Sequence, residues 1–140
     1  MGPLIILLGE ILCGCIISSV YILSKARKNE ETIKDTSNGS YSAKIFMFIL
    51  MSMTSLPYGI IMVVVALTGR TSITWNNLLV YAFIGLLHLA ASLVKGIIAG
   101  NSICSLVDQS ADSVFSRVLI KMSGAEILAI AGLVLFFVIS

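Results

Sequence analysis

The closing stretch "KMSGAEILAIAGLVLFFVIS" sets one carboxyl, Glu126, inside an apolar run long enough to cross a membrane. Counted from Val118, Glu126 lies about 13 Å along a helix, near the middle of the hydrocarbon layer. A charge at that depth costs at least ~2.5 kcal/mol, and groups kept there usually serve ion or proton movement. Desolvation disfavours the charged form, so the carboxyl is expected to be protonated while it faces lipid. Where it meets a fixed cation or a watery path, it can release that proton. A side chain that is neutral in lipid and charged in a channel is a proton carrier. The competing role is a structural hydrogen bond between helices.

Other residues carry weaker signals. Glu10 stands near the far third of the first apolar segment and is expected to reach the interface. His88 is expected to make a hydrogen bond on an inner face, and a lone histidine forms no metal site. Cys13, Cys15 and Cys104 lack zinc spacing and are expected to be small packing residues. Lys121, five residues before Glu126, projects about 140° away from it and suits an end-of-helix anchor. There is no phosphate loop, no nucleophile beside a base and no paired carboxylate. The chain is therefore not expected to be an enzyme by itself, nor to hold a metal or cofactor.

The elements that must position Glu126 follow from composition. Hydrophobic residues are 58% of the 140 and charged residues 11%, against roughly a quarter charged in soluble domains. The class is an integral membrane protein. A net charge of +2 gives no reason to expect nucleic acid. Four apolar segments approach the ~20 residues that span a bilayer: Pro3 to Leu23, Ile45 to Leu67, Leu78 to Ala99 and Val118 to Ile139. The alternation of a membrane barrel is missing, so the fold class is all-α with four transmembrane helices. They group as two hairpins, 1–68 with a long turn and 69–140 carrying Glu126. No Lys or Arg precedes Lys25, so the first segment lacks the basic start of a signal peptide. Lys25, Arg27, Lys28, Lys34 and Lys44 crowd the first turn, while the opposite side offers Arg70. The positive-inside rule then makes that turn and the "GNSICSLVDQSADSVFSR" turn cytosolic, with both termini on the other side. Trp75 and Tyr81 suit an interface belt.

A shift of 73 positions lays helix two over helix four, with Lys44 on Arg117, Met53 on Glu126 and Gly59 on Gly132. Two similar hairpins are implied, one with the carboxyl and one without. Small residues recur on helix one (Gly9, Gly14, Ser18, Ser19) and on helix three (Ala90, Ala91, Gly96, Gly100). They permit close backbone approach, which serves either the inner side of a tight assembly or packing within one subunit.

"AEILAIAGLVLFFVIS" resembles the last helix of the proteolipid, or c-type, subunit of V-type rotary ATPases. There the ion-carrying Glu stands six residues before a Gly, the spacing of Glu126 and Gly132. "TSLPYGIIMVVVAL" is similar to the family's first-hairpin pattern through Tyr58 and Gly59, and Phe115 follows the second turn as the family's aromatic does. The resemblance implies a ring of copies, or of related proteolipids, turning against a stationary membrane a subunit with an essential Arg. It also implies a central-stalk d-type subunit as partner and ATP hydrolysis elsewhere in the complex. The transported ion would be H+ on Glu126, with Thr54, Ser55 and Tyr58 in positions to hydrogen-bond the carboxyl. The setting implied is a vacuolar or other acidic-organelle membrane, termini lumenal.

The chain departs from that pattern in places. Helices one and three carry less Gly, the second turn lacks Gln-Pro, and the first turn is long and charged. Lys95 occupies a position where sodium-binding members resemble one another in having a Gln ligand. An ammonium cannot ligate sodium, which favours protons. Lys95 is expected to snorkel or to face the ring interior, because pairing would hold Glu126 ionised and hinder a lipid-facing carrier. Three other functions fit the same elements: a four-helix proton-coupled exporter of cationic compounds using Glu10, a structural tetraspan protein, and a degenerate subunit in a mixed ring.

Overall fold

In the computed structural model, described over residues 2–29, 40–69, 77–108 and 111–139, the described residues contain helices and no strand. The helices are α1 (Gly2–Lys28), α2 (Ser40–Ser52), α3 (Ser55–Leu67), α4 (Leu78–Asp108) and α5 (Ala111–Ile139). Four spans are long and apolar enough to cross a membrane, with α2 and α3 together forming the second, Tyr41–Leu67. The all-α, four-span expectation therefore holds. Lys34 in the first turn, and Arg70 and Trp75 in the next, lie outside the described residues.

The helices outrun the apolar segments. The third span was expected to stop at Ala99, yet α4 continues to Asp108, and α5 begins at Ala111. What the polarity of "NSICSLVD" marked as turn is helix, since polar residues can end an apolar run without ending a helix. At 1.5 Å per residue, the 31 residues of α4 span about 46 Å, well over the ~30 Å apolar layer.

The second span is broken by Pro57. Proline has no N–H to give and its ring collides with the carbonyl four residues back, here that of Met53. The backbone turns at Met53 and Thr54, and Leu56 N–H closes a tighter bond to Met53 O at 3.0 Å. Thr54 is the N-cap of α3 but makes no capping hydrogen bond. Its hydroxyl is free to point sideways, toward α5.

α1 packs most extensively on α4, and α4 next on α5. The seam of small residues lies inside the chain. A Cβ added at Gly14 would come to 2.9 Å from the Leu89 backbone, and one at Gly96 to 2.8 Å from Ser18 Cα. Gly9, by contrast, faces open space. Two apolar clusters fill the bundle. One gathers Leu4, Leu7, Ile11, Met62, Ile84 and Phe136 near the termini; the other gathers Ile22, Phe48, Ala99, Ile103, Val118 and Met122 at the end carrying Lys25 and Arg117. Between them, on the first three spans, fall the buried polar residues Ser18, Ser52, Ser55, His88, Ser92 and Lys95. A polar layer crosses the middle of the bundle.

Candidate functional site

Glu126 is the central residue of the Ser113–Ile139 span, and its side chain is 15% exposed at the edge of the polar layer. Its Oε2 accepts from Lys95 Nζ at 2.5 Å and from Thr54 Oγ1 at 2.8 Å. Lys95 Nζ also donates to Thr54 Oγ1 at 2.6 Å. Three groups from three spans close a triangle. The Thr54 hydroxyl has one proton, so its bonds to Glu126 and to Met51 O, at 3.0 Å, are alternatives. Glu126 Oε1 is buried with no hydrogen-bond partner.

The expectation for Lys95 is overturned by this geometry. The residue is fully buried and its ammonium sits on the carboxylate. Its side chain runs inward, to Thr54 on the second span and Glu126 on the fourth, rather than out toward the end of α4. The nearest countercharge is Glu126. A buried charge is kept only when paired and hydrogen-bonded, and the triangle meets both conditions.

Of the residues expected to support the carboxyl, Thr54 does so directly. Ser55 does not: its hydroxyl donates to His88 O at 3.4 Å and accepts from Ser92 Oγ at 3.1 Å. Tyr58, one turn beyond Thr54, lies with its ring centroid 5.9 Å from that of His88. His88 is fully buried as expected of an inner-face residue, but neither ring nitrogen has a hydrogen-bond partner. Its ring lies under Gly132, where an added Cβ would come within 2.9 Å of Nε2. The Glu126–Gly132 spacing thus has a local reason, because any side chain at 132 would displace the imidazole.

Glu10 turns toward α4. Its carboxyl packs against α4 where Gly85 leaves room, and Oε2 is buried without a partner. Ser92 was not singled out by polarity or spacing, and Cys15, expected as a small packing residue, is buried beside it. The Cys15 thiol lies 3.6 Å from Ser92 Oγ and donates to Ser52 O at 3.9 Å. On α4 the positions 85, 88, 92 and 95 step by three and four, so one face carries the whole interior polar stripe. A residue-by-residue search for that periodicity of small and polar residues in helix three would have found it.

The pair has a definite charge logic. With one proton between them, ammonium plus carboxylate or amine plus carboxylic acid, Lys95 and Glu126 are neutral together. With none, they carry one negative charge. A lone carboxyl has the same two charge states, so the pair can stand in for a single titrating acid. No protein-family model matches the chain, and no curated protein matches it.

Proposed function

We propose that the chain is a proteolipid-type subunit of a proton-driven membrane rotor, and that the proton it carries belongs to the Lys95–Glu126 pair. The observation that carries this reading is the pair itself, seated at the centre of its span and open at one edge. Its support is the Glu126–Gly132 spacing, the Thr54 contact and the central α1–α4 packing, which suits an inner circle with α2, α3 and α5 outside. The single-acid version of the rotor, in which a bare carboxylic acid crosses lipid, does not fit a carboxylate already bound by an ammonium.

In the pair version, the neutral, singly protonated site crosses the lipid at little electrostatic cost. A stationary guanidinium approaching the open edge competes for Glu126. Two cations then face one carboxylate, and balance returns when Lys95 gives one proton to a watery exit. As the guanidinium leaves, the negative pair takes a proton from the opposite side. Thr54 bridges both partners throughout and limits how far they separate.

The test is ATP-driven acidification by membranes carrying variants of the full chain in its complex. Glu126→Gln alone strands a buried ammonium, so the informative variant is Lys95→Met with Glu126→Gln, which removes both charges. Acidification is expected to vanish in that variant and to persist in Lys95→Met alone, where Glu126 carries the proton unaided. Acidification by the double variant would overturn the rotor reading. A second reading, the exporter built on Glu10, is favoured by the buried, unpaired Glu10 Oε2. In that case Glu10→Gln, and not the double variant, abolishes proton movement.

A further inference from the structure

A cleft of about 240 Å³ opens between α4 and α5 at the end of the bundle that carries Lys25 and Arg27. Its lining is Ser102, Ser105, Val114, Arg117, Val118 and Lys121. Val114 and Val118 are buried and form the floor. Arg117 and Lys121, four residues apart on α5, project to one side of that helix. Ser102 and Ser105, three apart on α4, face them across the cleft.

The two cations are uncompensated among the described residues: the ion pair found there joins Lys95 to Glu126, and Arg117 engages only the Ser113 carbonyl, from Nε at 3.3 Å. The guanidinium's remaining N–H groups and the Lys121 ammonium are left to face the cleft. Ser102 donates its own proton to Ile98 O at 2.7 Å. With the Ser102 proton already spent, the donors left are the guanidinium and the ammonium, and a group that accepts from both at once and carries one or two negative charges is a phosphate.

Depth points to the source of that phosphate. Arg117 and Lys121 lie four and eight residues into the Ser113–Ile139 span, about 6 and 12 Å from its start. Both side chains are exposed, and long cations near the end of a span extend toward the headgroup layer. One turn deeper, Gly124 leaves open space where a Cβ would meet nothing within 4 Å. Ile120 and Ile127 stand exposed on either side of it, at 72% and 67%. Polar lining above and a bare apolar trough below match a lipid's headgroup and acyl chain.

We propose that this cleft binds the phosphate of an anionic membrane lipid, with an acyl chain lying over Gly124. The site is separate from the Lys95–Glu126 pair and stands whether or not the chain belongs to a rotor. Its test is native mass spectrometry of the full chain released from nanodiscs of phosphatidylglycerol mixed with phosphatidylcholine. The native chain is expected to retain phosphatidylglycerol. Arg117→Gln with Lys121→Gln is expected to weaken retention roughly thirtyfold, as two basic residues at a headgroup layer contribute. Lys25→Gln with Lys28→Gln removes the same charge from the same end and is expected to leave retention unchanged. Equal retention by all three proteins, or equal loss in both doubles, overturns the site. Millimolar inorganic phosphate is expected not to displace the lipid; displacement would make the site one for a free anion and overturn the lipid assignment.

Discussion

At the scale of single residues, the interior ion pair governs both chemistry and stability. Removing one partner of a buried pair typically costs ~3–5 kcal/mol, because the other charge is left uncompensated. Glu126→Gln is expected to approach that loss, since Lys95 is fully buried and an amide oxygen can accept its hydrogen bond but supplies no countercharge. Lys95→Met is expected to cost less, because a carboxyl can take up a proton and become neutral. Combining the two is expected to recover most of the difference, and thermal unfolding in detergent measures all three. The same logic predicts chemical labelling. The Lys95 ammonium and the Thr54 hydroxyl occupy Glu126 Oε2, so a hydrophobic carbodiimide is expected to label the native chain slowly and Lys95→Met on the order of tenfold faster at Glu126. Equal rates would show that Lys95 does not cover the carboxyl. Glu126 was legible from sequence because a carboxyl in an apolar run is costly and stands out. Lys95 stood out as well, but it was expected to snorkel or to face a ring interior; its contact with Glu126 depends on how α4 is rotated in the bundle, which apolarity does not fix.

At the scale of helices, the sequence disclosed four spans through length and apolarity, but not the break in the second. Pro57 was visible; that its collision with Met53 O would free the Thr54 hydroxyl for another helix was not. Small residues were legible as a seam, while their partners required the structure. Gly14 and Gly9 sit five residues apart on α1 with opposite surroundings. Gly14→Ala drives a Cβ against the Leu89 backbone, which cannot yield by a rotamer change, and is expected to cost ~1–3 kcal/mol as α1 and α4 separate. Gly9→Ala fills open space and removes backbone freedom from the unfolded chain, so it is expected to be neutral or stabilising by about 0.5–1 kcal/mol. Unfolding of both variants in the same detergent checks the contrast. Equal effects would mean that α1 and α4 are not in this register.

At the scale of the whole molecule, the seam's location bears on the ring proposed for these subunits. Gly14, Ser18 and Gly96 are consumed between α1 and α4 of one chain, so they are not available to bring neighbouring copies together. The outward face of α1 is instead bulky: Leu12, Ile16 and Val20 are 45%, 58% and 58% exposed. Without a hydrophobic drive between helices in lipid, association then depends on van der Waals fit among large side chains. Copies meeting through that face stand further apart than copies meeting through glycine. The expected outcome for protein extracted in mild detergent is a particle whose mass is an integer multiple of 15.0 kDa. Ile16→Trp is expected to lower that multiple or release single subunits, because an indole cannot enter a contact shaped for isoleucine. Ile127→Trp, on the lipid side of α5, is expected to leave it unchanged. A native chain that stays single in both detergent and nanodiscs has no ring, and its central ion pair is then a lock between helices rather than a carrier.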